Sequence, residues 1–496
     1  VSWVIGINLA LSAGAPSIAA APRPPNVIII NTDDQAQWAV GCYGNKDIQT
    51  PNMDRLAREG MKFTRAYSKP VCSPSRAMQL TGLYSHRVGI PDFIVYGNPV
   101  PYFIPPGDGR EIVADNGLPA GTPTIASVLK GAGYTSALVG KWHLGYGEKY
   151  YPQLFGFDVA EGDRSVAPGR QYENVSKIPI LLDGRELDAS FTRDPNHTAV
   201  LTDRAIRFVR DSREKPFFLF FNFYVPHEAT QFTTEEDLAL YKDRPLTVPD
   251  LTRFPEVKVS TAELRKLLAG YYAHLTCADR NLGRLLATLE ELGLATNTII
   301  IFMGDNGTNF GHHGMRGKGN GWILDNKWRN TRPNLFDTST LVPFIVRWPA
   351  AIKPGQTSDA LVSTIDILPT LIEATGASGG TKLRFDGRSL LPLLKGQRGV
   401  KWRDYYCDTY DMLYLGNKGE QPHMRMIRTD RWKLILYLDT DGYPLANGSR
   451  HELFDLKNDP DELTNLYGKP SVASIQQQLD KQLRAWMRET GVTKPR

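Results

Sequence analysis

The chain predicts an α/β fold: a large, mostly parallel sheet sandwiched by helices, with a smaller C-terminal α+β subdomain. Three observations lead there. Short unbroken apolar runs, the pattern of strands buried on both faces, alternate with segments of helical periodicity. Most of those runs end in a polar cluster, and in open α/β sheets ligands bind outside the carboxyl ends of the strands. Beyond about residue 380 the texture changes to short β-like runs and turns. At 496 residues and 41% hydrophobic content, the chain can bury a large core.

Residues 1–22 are an apolar stretch closing in Ala19-Ala20-Ala21-Pro22. They read as a signal peptide, with export to the periplasm or the outside. The stretch is too short and too broken by Gly and Pro to span a bilayer, and no stable membrane insertion is expected elsewhere. Residues 23–380 then form the α/β domain. Asn26–Ile30 is its first strand, leading into Asn31-Thr32-Asp33-Asp34. Thr50–Gly60 is a helix, with Pro51 in the first position and a terminal glycine. Another helix starts near Cys72, with Pro74 in its first turn, where a missing N–H costs nothing. A helix at Thr124–Gly131 leads to the strand Thr135–Val139, which exits at Gly140-Lys141-Trp142-His143. Thr198–Ser212 leads to Pro216–Tyr224 and Pro226-His227. A long helix from Ala262 to Leu292 leads to Asn297–Met303 and Gly304-Asp305-Asn306-Gly307. Leu341–Arg347 is a strand, and Ser363–Gly376 a helix that Pro369 is expected to interrupt. Residues 381–496 form the subdomain, with a strand at Arg431–Leu438, a tight turn closing Glu452–Glu462 and a terminal helix at Ser474–Glu489.

The net charge of +5 is spread without a basic run, which argues against nucleic acid as a partner. Four cysteines make no disulfide framework, although Cys42, Cys277 and Cys407 allow one bridge. Asp33, Asp34, Asp305 and Asn306 are three carboxylates and an amide at predicted strand ends. Hard divalent cations want such oxygen ligands, whereas taken singly these residues also serve as caps and turns. Cys72 at a helix N-terminus, with Arg76 one turn on, would hold an anionic group from two sides. The plainer alternative is a buried cysteine beside an arginine paired elsewhere. Lys141, His143, His227 and Lys318 add donors and acids. The loop Gly314-Met315-Arg316-Gly317-Lys318-Gly319 lacks the spacing and the Ser/Thr of a Walker loop.

The run Val71-Cys72-Ser73-Pro74-Ser75-Arg76 through Leu80-Thr81-Gly82 resembles the signature of the formylglycine-dependent (type I) sulfatases, in the alkaline-phosphatase-like superfamily. Asp33-Asp34, Gly140–Gly145, Pro226-His227, Gly304–Gly307, Lys318 and the run Glu452–Leu466 extend the likeness over most of the chain. The resemblance implies hydrolysis of sulfate esters through a Cα-formylglycine made from Cys72 by a maturation enzyme. It implies one divalent cation, calcium in preference to magnesium, held by Asp33, Asp34, Asp305, Asn306 and residue 72. Arg76 and Lys141 would orient residue 72, and His143 would assist collapse of a covalent sulfate intermediate. His227 and Lys318 would contact the sulfate and the leaving oxygen. A sulfated carbohydrate is the expected substrate, with aromatics such as Tyr96 and Tyr102 near the rim. The alternatives are a phosphomonoester or phosphodiester hydrolase of the same superfamily, and a non-catalytic protein that binds sulfated glycans. After Lys318 the chain departs from the family pattern. There Trp322, Lys327, Trp328, Arg329 and Arg332 either clamp a sulfated sugar or simply pack. Asn174, Asn196 and Asn447 are Asn-x-Ser/Thr sites.

Overall fold

The computed structural model describes residues 23–94, 117–162, 181–182, 185–186, 197–227, 234–324, 331–377, 383–412, 423–439, 441–443 and 450–494. The expectations placed on residues 1–22, Tyr96, Tyr102, Asn174, Asn196, Lys327, Trp328, Arg329 and Asn447 fall outside them.

In chain order the first half comprises β1 (Asn26–Thr32), α1 (Pro51–Glu59), β2 (Met61–Tyr67), α2 (Cys72–Thr81), α3 (Ile125–Gly131), β3 (Thr135–Gly140) and β4 (Val159–Gly162). A two-residue hairpin, β5 (Leu181–Leu182) and β6 (Arg185–Glu186), precedes α4 (His197–Asp211) and β7 (Phe217–Asn222). Then come α5 (Glu235–Ala239), α6 (Thr261–Glu291), β8 (Thr298–Gly304), α7 (Asp337–Thr340), β9 (Phe344–Arg347), β10 (Gln356–Ser363), α8 (Ile367–Thr375) and α9 (Leu391–Leu394). The C-terminal part holds β11 (Tyr405–Asp411), β12 (His423–Thr429), β13 (Trp432–Leu438), β14 (Glu452–Asp455) and α10 (Ala473–Thr490).

The main sheet has eight strands in the order β10-β2-β9-β8-β1-β7-β3-β4. Only β9 runs against the others in this sheet. β1 lies near the middle and is buried along its whole length. Its side chains divide by alternation, as the pleat requires. Val27 and Ile29 join Ala77 and Leu80 of α2 and the apolar sides of α3 and α8. Ile28 and Ile30 join Met53 of α1, Leu201 of α4 and Leu282 of α6. Helices therefore cover both faces, which is why the central strands carry unbroken apolar runs. Pro369 does not interrupt its helix. It falls in the first turn of α8, after a 3-10 turn at Thr364–Asp366, where no N–H is needed. The segment expected as a strand from Leu341 pairs as one only from Phe344, and Leu341 makes a single bridge to Tyr67.

A second, antiparallel sheet runs β11-β12-β13-β14. One face packs on α10 through Leu434, Leu436, Leu483 and Trp486. The other packs on the main body, where Met424, Met426 and Ile435 meet Tyr67, Val71 and Leu361. This apolar junction is fastened by charge. Lys69, just before α2, sits 2.7 Å from Asp408 of β11, with both side chains buried. Lys433 of β13 reaches Asp337 at 2.7 Å and Glu462 at 2.8 Å. Removing one partner of such a pair leaves an uncompensated buried charge. Lys69→Ala is therefore expected to cost about 3–5 kcal/mol, read as a lower denaturant midpoint. An unchanged midpoint would show that the pair carries no such strain. All four cysteines are free thiols, so the allowed bridge is not formed. Among the described residues no helix is long and apolar enough to cross a membrane.

Candidate active site

Parallel pairing of β1 with β8 sets Thr32 opposite Gly304, so Asp33-Asp34 and Asp305-Asn306 leave the sheet side by side. The Asp305 N–H donates to the Thr32 carbonyl (2.9 Å), and Asp305 Oδ1 accepts from the Asp34 N–H (3.1 Å) and the Asn306 N–H (2.7 Å). Asp34 has φ of 66° and His143 of 58°, left-handed values that side chains other than glycine rarely adopt. Such strain persists where the surroundings over-determine it. At Asp34 the Tyr271 hydroxyl donates to the backbone carbonyl (2.9 Å) and Asn306 Nδ2 donates to Oδ1 (2.7 Å).

Cys72 is the first residue of α2 and only 2% exposed. Its Sγ lies 3.5 Å from Asp33 Oδ1 and 2.7 Å from Lys318 Nζ. One turn on, Arg76 turns to the carboxylates, 2.8 Å from Asp305 Oδ2 and 3.6 Å from Asp33 Oδ2, and its Nη1 donates to the Lys141 carbonyl at 3.0 Å. Lys141 leaves β3 through Gly140 and places Nζ 2.5 Å from Asp33 Oδ2. Lys318 also pairs with Asp34 Oδ1. His227 Nε2 is 4.0 Å from Asp34 Oδ2. The structure thus brings Asp33, Asp34, Cys72, Arg76, Lys141, His227, Asp305, Asn306 and Lys318 to one rim. His143 adjoins them, with its Nε2 2.8 Å from the Ile94 carbonyl.

Lys318 comes from a loop, not a strand end, and is held by backbone contacts. Asn309 Nδ2 donates to the carbonyls of Gly317 (2.7 Å) and Lys318 (3.2 Å), and Asn334 Nδ2 to that of Lys318 (3.2 Å). The Gly319 N–H donates to the Pro70 carbonyl (3.0 Å), and a methyl on Gly319 would collide with the Pro70 ring. Glycine is what lets the lysine loop close on the segment before Cys72. Gly319→Ala is expected to lower kcat by roughly 10–100-fold through misplacement of Lys318, with less change in thermal midpoint. Wild-type kcat in that variant would remove this role from the loop.

Burial and charge set the protonation states. Burial alone would raise Asp33, but Lys141, His227, Arg76 and Lys318 hold its carboxyl well below the usual range. Burial raises Asp34 and Asp305, against the pull of Lys318 and Arg76 respectively. Burial, followed by Asp33, pushes the Cys72 thiol up to about 12. Burial would lower Lys318, yet Asp34, Cys72 and Asp33 outweigh it and hold the ammonium charged. His143 is held well below its ordinary value by burial and by Lys141, and so stays neutral.

These residues fit a divalent cation. Single ligand atoms of Asp33, Asp34, Cys72 and His227 lie within 4.8 Å of one another. Asn306 Oδ1 is buried with no hydrogen-bond partner among the described residues, which leaves it available to a ligand. Three carboxylates already balance Arg76, Lys141 and Lys318, so a divalent ion would leave the pocket positive and suited to an anionic substrate.

One set of residues escaped sequence reading. Asn31 Nδ2 donates to Gln79 Oε1 (3.0 Å) and Asn222 Oδ1 (2.7 Å), and Asn222 Nδ2 donates to the Lys141 carbonyl (2.9 Å). All three carboxamides are fully buried and tie β1, β7 and α2 together beneath the site. The available signal was an asparagine ending each of two apolar runs.

The sulfatase family matches residues 25–377, and the family described as N-sulphoglucosamine sulphohydrolase, C-terminal, matches residues 325–489. Steryl-sulfatase of Mus musculus is 31% identical, over 81% of this chain and 70% of that protein. N-acetylglucosamine-6-O-sulfatase of Bacteroides thetaiotaomicron is 28% identical, over 95% of this chain and 89% of that protein. A protein solved in complex with its substrate D-glucosamine-2-N,6-O-disulfate shares the fold, with a TM-score of 0.73 at 24% identity over 95% of this chain and 99% of that one. Family membership brings with it a divalent metal and a formylglycine. With a match across the whole α/β body, the chain belongs to the sulfatase family and hydrolyses sulfate esters.

Proposed function

We propose that this sulfatase is exported and removes sulfate from a sulfated carbohydrate, using residue 72 as formylglycine and calcium as its cation. The observation that carries the reading is the buried meeting of Cys72 Sγ with Lys318 Nζ and Asp33 Oδ1, at 2.7 and 3.5 Å. A carbohydrate is favoured because the Bacteroides relative is named for an amino-sugar sulfate. On this reading residues 23–380 carry the chemistry and residues 381–496 buttress it.

Asp33, Asp34, Asp305 and Asn306 hold the cation, whose positive charge, when bound, supports the sulfuryl oxygens as charge builds on them. A maturation enzyme converts Cys72 to the formylglycine that supplies the nucleophile. Lys141 and Arg76 hold the Asp33 and Asp305 carboxylates in place, so that they do not turn away from the ion. Lys318 directs its ammonium at the position of residue 72, where it offsets negative charge on a bound sulfate. His227, beside Asp34 and 36% exposed in its side chain, stands toward the opening and donates a proton to the departing sugar oxygen. An unactivated alkoxide needs that proton to leave. The Ile94 carbonyl only accepts, so His143 must carry its proton on Nε2 and keep a lone pair on Nδ1. Kept neutral by burial and Lys141, His143 serves as the base that takes a proton when sulfate is expelled.

A panel of position-defined sulfated sugars, offered to enzyme verified by mass spectrometry as converted at residue 72, tests this function. Release of sulfate from at least one sugar, and of no phosphate from the matched phosphorylated sugar, is expected. Phosphate release without sulfate release would overturn it.

A further inference from the structure

Ile94 is tied at both ends of its backbone. Its N–H donates to Ser73 Oγ at 3.0 Å, and its carbonyl accepts from His143 Nε2 at 2.8 Å. Ser73 follows residue 72 in the first turn of α2 and is fully buried. One residue therefore joins the helix that carries the nucleophile to the imidazole that serves as base. A buried backbone N–H needs an acceptor, and Ser73 supplies it. The carbonyl at the other end decides which imidazole nitrogen keeps the proton, because the hydrogen bond made by one ring nitrogen sets the state of the other.

The residues just before Ile94 are anchored from the C-terminal sheet. The Tyr410 hydroxyl of β11 donates to Asp92 Oδ1 at 3.2 Å, and the same oxygen accepts the Phe93 N–H at 2.8 Å. The side chains of Tyr410 and Asp92 are both buried. Burial, followed by the charge of Asp92, holds the Tyr410 phenol well above its ordinary value, so it stays protonated and donates. A continuous run of hydrogen bonds thus leads from β11 through residues 92–94 to His143 on one side and to Ser73 on the other.

We propose that Ser73 and Tyr410 are positioning residues for His143, acting through residues 92–94 to set where its imidazole stands relative to residue 72. The inference rests on the reading of His143 as the base that takes a proton when sulfate is expelled, and it adds the groups that aim that base. It also gives the C-terminal sheet a part in the chemistry beyond support.

Kinetics and spectroscopy test it together. Departure of the sugar alcohol precedes expulsion of sulfate, so kcat/KM reports the first event and not the second. In converted enzyme Ser73→Ala is expected to lower kcat roughly 10–100-fold and KM with it, leaving kcat/KM within about twofold of wild type. In unconverted protein, the nitrogen NMR signals of the His143 ring, assigned by difference from His143→Gln, should show a single tautomer protonated on Nε2. In Ser73→Ala they should show a mixture of the two tautomers. Tyr410→Phe should give the same two changes, with kcat lowered roughly 3–10-fold. An unchanged tautomer or an unchanged kcat in Ser73→Ala would overturn the proposal. So would a kcat/KM that falls as far as kcat, the mark of general damage to the site. If Ser73→Ala does not fold, Tyr410→Phe decides by the same criteria. If the tautomers mix in Ser73→Ala while converted wild-type enzyme releases sulfate from no sugar, the aiming of the imidazole stands and the carbohydrate-desulfating function falls.

Discussion

Cys72→Ala is expected to lower sulfate release by roughly 10⁴-fold or more, as loss of a nucleophile does. The fold should survive, because the change removes a single sulfur atom from the first turn of α2. That turn is held by other bonds: Ser75 Oγ donates to the Lys69 carbonyl (3.1 Å), and Ser68 Oγ to the Asp305 carbonyl (2.7 Å). Lys318 keeps its pairing with Asp34, so no buried cation is left without a counter-ion. A near-native melting curve alongside lost turnover is the expected pair of readings. Turnover near wild type would mean that residue 72 does not supply the nucleophile.

Chelation should have an effect of similar scale. Asp33, Asp34 and Asp305 are packed together, with Asn306 Oδ1 turned toward no donor among the described residues. On the proposed mechanism, loss of the ion removes the positive charge that supports the sulfuryl oxygens. Activity after dialysis against a chelator is expected to fall by roughly 10³-fold or more. Calcium should restore it, and magnesium less so. An ion that binds only the folded chain also stabilises it, by about 2.7 kcal/mol at a hundred times its dissociation constant. The melting temperature should therefore rise with added calcium. Activity and melting that both ignore chelator and calcium would remove the cation from the mechanism.

Most of the rim was legible because its residues sit immediately after apolar runs, and a buried parallel strand leaves few places for Asp33-Asp34 or Asp305-Asn306 except its carboxyl end. The signature around Cys72 was legible because Pro74 and Arg76 have fixed places in a helical turn. What escaped depends on tertiary contacts. β2 and β10 lie at one side of the sheet and are only partly buried, so their apolar pattern is diluted. The reversal of β9 is set by its neighbours β8 and β2, not by its own four residues. The joining of Asn31, Gln79 and Asn222 needs β1, α2 and β7 in place, and nothing in the spacing of 48 or 191 residues announces it.

The adjacency of β1 and β8 also fixes a schedule. Thr32 is made early and Gly304 late, so the oxygen set cannot close until most of the chain has left the ribosome. Cys72 precedes Asp305 by roughly 230 residues, which at ~5–20 residues per second is an interval on the order of ten to fifty seconds. During that interval the thiol has no lysine loop over it and no finished sheet beneath it. Once the last central strand docks, the sulfur is sealed from other proteins, so any chemistry done to it by another enzyme belongs to the unfinished chain.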